Sequence, residues 1–190
     1  RSMFWIPEQK VKDQRNDSVD YLKWVEDGYI KMFGGDAVEN DMMADDIREE
    51  LIQRIPVVFG ADPKYSTGGP IQYLRHDGYL EPSGDYHGYQ HVNQGFNLTG
   101  AVSEIETWIN NRQLEFFDNP VMAMCFGNTT LHLKDMVAAE GGLSGHRYPS
   151  KGRSNGRIDG VSALCTAVHE YLRLNAEPDP SPVFVIGLEM

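Results

Sequence analysis

The run Pro56-Val57-Val58-Phe59-Gly60-Ala61-Asp62-Pro63 constrains the fold of this chain more than any other segment. A continuous apolar stretch of that length, arriving after a helical pattern and closed by Asp-Pro, reads as a strand buried on both faces. Such strands belong to mainly parallel sheets covered by helices, which sets the class as α/β. Asp62 then stands at the carboxyl end of the strand, where connecting loops converge and ligands gather in open α/β sheets. Taken alone, Asp62 is equally an ordinary Asp-Pro turn initiator.

The segments around this strand supply its covering elements. Met3 to Ile6 is a short strand stopped by Pro7, and Ser18 to Asp27 a helix closed by Gly28. Tyr29 to Phe33 alternates as a strand before the Gly34-Gly35-Asp36 turn. A helix capped by Asn40 is expected to bury Met43, Ile47 and Leu51, with Asp41, Asp45, Asp46, Glu49 and Glu50 on its solvated faces. Five acids there suggest a metal cluster only superficially; a wet helix face is the simpler account. A second helix covers Gly69 to His76, ended by Asp77-Gly78. His87 and His91 are read as loop or strand residues, because Gly88 and the neighbouring tyrosines disfavour the helix a metal pair at that spacing needs. Ala101 to Asn111 is helical, burying Val102, Ile105 and Ile109, and Asn119-Pro120 starts a helix through Phe126. Thr130 to Met136 reads as a strand leading to a Gly-rich loop, and Val183 to Leu188 as a last strand after a Pro178–Pro182 linker.

From Pro149 to Leu164, PSKGRSNGRIDGVSAL, a basic glycine-rich loop runs into a helix carrying one acid, Asp159. Ile158, Val161, Cys165, Val168 and Leu172 follow the spacing of one buried helical stripe. Asp159 lies about 100° around the helix from Ile158, with small Ala163 and Thr166 stacked on its face, so the helix can approach a sheet closely. Its place in the first turn suits the positive end of the helix dipole, which by itself explains an acid there. Leu143 to Arg157, however, holds Arg147, Lys151, Arg153 and Arg157 without any acid, in a chain whose net charge is -11. A basic island in an acidic chain points to an anion-binding surface, although a solvated loop has the same composition.

With 190 residues and 41% hydrophobic content, the chain fits one globular domain over residues 1–190, with 178–190 as a C-terminal tail. No apolar run reaches the roughly 20 residues of a membrane span and no signal peptide opens the sequence, so a soluble cytoplasmic protein is expected. Cys125 and Cys165 lie in apolar surroundings and read as reduced core residues, which leaves the sequons at Asn97 and Asn128 with little weight. A sequence pI near 4.9 argues against a general nucleic-acid coat, which depends on many Lys and Arg, but not against a groove with a few focused cations. Internal repeats, glycine nucleotide fingerprints and a P-loop are absent, so ATP hydrolysis has no visible means.

The order of several segments resembles a known family. FWIPE from Phe4, VDYLKWVEDGYIKMFGG from Val19, GADP at Asp62, QGF at Gln94, NPVMAMCFGN from Asn119 and GRIDGVSAL are together similar to the C-terminal nuclease domain of bacteriophage terminase large subunits, HK97-like group. That resemblance implies a ribonuclease H-like mixed sheet flanked by helices. Asp62 would be its second-strand carboxylate and Asp159 its final-helix carboxylate, both holding Mg²⁺ or Mn²⁺. It also implies double-stranded DNA as substrate, with an ATPase motor domain, a small terminase subunit and a portal as partners in the host cytoplasm. The chemistry agrees: hard ions take oxygen ligands, two ions about 4 Å apart serve phosphodiester hydrolysis, and Lys151, Arg153 and Arg157 suit phosphate contacts. Lys134 is a weaker cation candidate.

One departure from the family pattern matters. Its first metal-binding Asp lies on an opening strand that precedes the FWIPE segment, and this sequence, starting at Arg1, has no such strand. The sheet is therefore expected to lack its first central strand. Either Val183 to Leu188 or a segment of a second copy, exchanged within a homo-oligomer, would fill the position. In the first case Glu189 would approach the metal site. The expected activity of this chain is accordingly weak or absent, and a catalytically inactive terminase remnant that keeps the fold and binds DNA or a packaging protein is the alternative. A junction-resolving nuclease fits the acids but not FWIPE or NPVMAM.

Overall fold

A computed structural model describes residues 3–13, 19–53, 57–63, 69–82, 87–115, 118–137, 143–175 and 185–188. At its centre lies β3 (Val58–Ala61), all four residues buried, as the continuous apolar run requires. Two strands flank it in parallel: β4 (Tyr89–His91), with Phe59 opposite Tyr89, and β7 (Val185–Leu188), with Ala61 opposite Leu188. Parallel neighbours need crossovers, and α4 (Pro70–His76), stopped at Asp77 and Gly78, carries the one from β3 to β4. The side of β3 opposite β4 is thus taken by the tail strand of the same chain. Glu189 and the 178–182 linker lie outside the described residues.

Helices cover both faces of this sheet. Phe59 and Ala61 pack with Ala44, Ile47 and Leu51 of α3 (Asn40–Gln53) and with Ile71 and Leu74 of α4. Gly60 faces the other way, toward α7 (Asp159–Asn175). A Cβ there would lie 3.1 Å from Glu170 Cγ and 3.3 Å from Thr166 Cγ2, so glycine is what lets helix and strand approach this closely. Val161, Cys165 and Val168 of α7 join Val102 and Ile105 of α5 (Thr99–Asn110) and Cys125 of α6 (Pro120–Asn128) in a second cluster. Asn119 caps α6, its side chain accepting from the N–H groups of Val121 and Met122.

A smaller layer adjoins these. β1 (Trp5–Pro7), followed by α1 (Glu8–Asp13), pairs in parallel with β2 (Lys31–Phe33), and α2 (Tyr21–Glu26) covers the pair. Ile6, Tyr21, Ile30 and Val121 are buried between them. Further along the chain β5 (Leu131–Val137) and β6 (Leu143–Pro149) form an antiparallel hairpin.

Three readings of the sequence need correction. Asp46 is buried rather than solvated: its carboxylate accepts from Trp5 Nε1 at 2.8 Å and from Lys31 Nζ, tying α3 to β1 and β2. Ile109 is 45% exposed, because α5 meets α7 through Trp108, whose ring lies edge-on to Tyr171 at 5.4 Å, and this turns Ile109 outward. Leu143 to Pro149 is a strand, with Arg147 anchored to Glu106 and Ser103 of α5, rather than part of a loop.

Candidate functional site

Asp62 lies at the carboxyl end of β3, and Asp159 opens α7, the helix that packs on that strand. Asp62 follows β3 directly and is buried, with Val92 N–H donating to the Ala61 carbonyl just before it. Gln94, beyond the end of β4, donates to Thr166 Oγ1 at 3.2 Å, while Gly60 lies against Thr166 and Glu170. Moving from Glu170 to Thr166 therefore moves toward the strands' carboxyl ends, so α7 runs antiparallel to β3. Its first turn, with Asp159, projects past the edge at which Asp62 stands.

Asp159 is held by its surroundings. Ile158, 1% exposed, anchors the chain just before the helix and accepts from the N–H groups of Val161 and Ser162. Gly160 lets the first turn sit against its neighbours: a Cβ there would come within 2.6 Å of Met122 Sδ and 3.1 Å of Phe4 Cζ. Beneath this turn lies the buried Cys125 thiol. Burial pushes it up from its ordinary value, hydrogen bonds from the Gly160 and Val161 N–H groups oppose that, and the charge of Asp159 adds to the rise. Cys125 is therefore a neutral core thiol, not a nucleophile.

The basic loop is fixed as well. Ser150 N–H donates to the Thr130 carbonyl, Thr130 N–H to Ser154 Oγ at 3.0 Å, and that hydroxyl to the Ser150 carbonyl at 2.7 Å. Asn128 Nδ2 donates to the Arg157 carbonyl at 3.3 Å, and the loop passes so close that a Cβ at Gly156 would lie 2.7 Å from that same nitrogen. These bonds deliver Lys151 and Arg157 to Asp159: Lys151 Nζ stands 2.8 Å from Oδ1 and Arg157 Nη1 3.7 Å from Oδ2. Arg153 is exposed and forms no ion pair among the described residues. The side chain of Lys134 lies outside the described residues.

Sequence reasoning pointed to the loop cations and to Asp62 and Asp159 but not to the framework of Asn128, Thr130, Ser150 and Ser154. Asn128 carried a signal, as a polar residue ending a helix beside a strand, yet its partner lies 29 residues away in the chain. His87 and His91 are both exposed, and His91 is in β4. Among the described residues no group of three or more His, Cys, Asp or Glu side chains is arranged to hold an ion, which includes the acids of α3. Nor is any helix among them long and apolar enough to cross a membrane.

No family model matches the sequence. It is 26% identical over 167 residues to the terminase large subunit of Enterobacteria phage HK97, an alignment covering 87% of this chain and 30% of that protein. The crystal structure of the HK97 bacteriophage large terminase matches the fold with a TM-score of 0.64 at 22% identity, over 87% of this chain and 32% of the other. The chain is a relative of the terminase large subunit. It spans under a third of the length of that curated relative. The shared architecture is the mixed α/β arrangement described above.

Proposed function

We propose that this terminase relative is a ribonuclease H-like nuclease module serving phage DNA packaging, which cuts double-stranded DNA with two Mg²⁺ or Mn²⁺ ions. The observation that carries the reading is Asp159, set between Lys151 and Arg157 at the start of the helix that packs on β3. Carboxylate oxygens suit hard cations, and the Lys151 ammonium on Oδ1 stands in for a cation at that oxygen. Asp62 and Asp159 would hold the metal, which when bound activates water and stabilises the departing oxyanion. Arg153, Lys151 and Arg157 position the phosphodiester without reading its sequence. An ATPase motor domain, a small terminase subunit and a portal are the partners this role calls for.

The test is incubation with supercoiled plasmid and Mn²⁺. Slow nicking by the parent chain is expected, with Asp62→Ala and Asp159→Ala each returning it to the rate without protein. Cleavage that survives both substitutions overturns the assignment. A second reading has its own observation: among the described residues no group of three or more His, Cys, Asp or Glu side chains is arranged to hold an ion. It makes the chain an inactive DNA-binding module, and duplex binding without nicking by the parent would select it.

A further inference from the structure

The cations on Asp159 do more than mark an anion site. Both carboxylate oxygens face a cation of the chain itself, so the acid is already neutralised before any ligand arrives. These contacts are replaceable ones. The side chains of Lys151 and Arg157 are 46% and 62% exposed, and ion pairs so open to solvent contribute little to stability. The loop backbone beneath them is pinned through Ser150, Ser154 and Asn128, so the two cations can leave the carboxylate by side-chain rotation alone. Arg153, exposed in the same loop, offers a first phosphate contact that needs no ion pair broken.

We infer that Lys151 and Arg157 are exchangeable counter-ions of Asp159, so that a phosphodiester and a divalent cation bind this edge cooperatively. Phosphate draws the two side chains off the carboxylate, and a divalent cation takes their place on it. Either ligand alone must break the pairs without full recompense, whereas together each satisfies what the other strips. Because the coupling is a difference in binding free energy, it acts equally in both directions. This exchange rests on the nuclease reading of the same edge, yet its signature is in binding rather than cleavage.

Mn²⁺ affinity of the DNA-free protein is read from the paramagnetic resonance of the free ion. The double variant Lys151→Gln/Arg157→Gln is expected to bind Mn²⁺ about tenfold tighter than the parent, whereas Lys151→Arg, which keeps the charge, stays at the parental value. Affinity for a short labelled duplex is read by fluorescence anisotropy at constant ionic strength, with Ca²⁺ as the cation. Ca²⁺ should strengthen duplex binding by about tenfold in the parent and by less in the double variant. Equal Mn²⁺ affinities in parent and double variant, including no binding by either, overturn the exchange, as does an equal Ca²⁺ effect on duplex binding in both. If these shifts appear without plasmid nicking, only the nuclease reading falls; nicking with equal Mn²⁺ affinities removes only the exchange.

Discussion

Asp46 and Asp159 are both helix acids neutralised by two donors, and they are used in opposite ways. The partners of Asp46 come from β1 and β2, one of them the indole N–H of Trp5, and its side chain is only 9% exposed. Those of Asp159 come from one loop, both are long cations largely in water, and the acid itself is 27% exposed. Holding two separate strands to a helix makes the first acid part of the frame. The second sits at a sheet edge with partners that solvent or a ligand can replace. An acid's counter-ion count is therefore a poor guide to its role; what its donors are attached to, and how wet they are, separates clamp from site.

Breaking the clamp should have the largest effect. Asp46→Ala strands a Trp5 N–H beside the core while Lys31, half exposed, returns to water, so a loss of about 2 kcal/mol is expected in urea unfolding. A change below about 0.5 kcal/mol would make Asp46 no more structural than a surface acid and dissolve the contrast. A smaller loss, about 1 kcal/mol, is expected for Gly160→Ala, because the added methyl meets Met122 Sδ, the end of a flexible side chain, and the ring of Phe4. Thermal unfolding checks it. A loss of several kcal/mol there would mean that the first turn of α7 is part of the rigid frame.

Which of these features the sequence discloses follows from how local their causes are. β3 was legible because burial on both faces demands an unbroken apolar run, and Pro56 to Pro63 has one. The α6 cap at Asn119 and the stop at Gly78 were legible because caps act over a few residues. Lys151, Arg157 and Asp159 fall within nine residues, so the loop showed its charge pattern without any tertiary knowledge. β6 was not legible: Ser144, Gly145, His146 and Arg147 lack strand alternation, and what holds them is a hairpin partner and an Arg147 anchor on α5. Asp46 was hidden for the same reason, since its neighbours in sequence are acids on a wet helix and its decisive partner, Trp5, is 41 residues away.

The smallest expected effect is the most diagnostic. Asp159→Asn removes one charge from the edge but keeps the shape of the side chain, and an asparagine amide oxygen can still accept from Lys151. Its pairs are solvent-facing, so unfolding free energy should fall by only about 0.5 kcal/mol. Part of that small loss is the favourable meeting of a carboxylate with the amino end of α7, which salt also weakens. Measured at rising ionic strength, the gap between Asp159→Asn and the parent should therefore close, whereas most of the gap for Asp46→Ala should persist, because the loss of the acceptor for the part-buried Trp5 indole N–H is not screened by ions. Two gaps that shrank together would place both acids in the same class. If only the Asp159 gap closes, the carboxylate at the sheet edge has been left nearly free of structural duty, which is the condition under which it can exchange its counter-ions for a ligand.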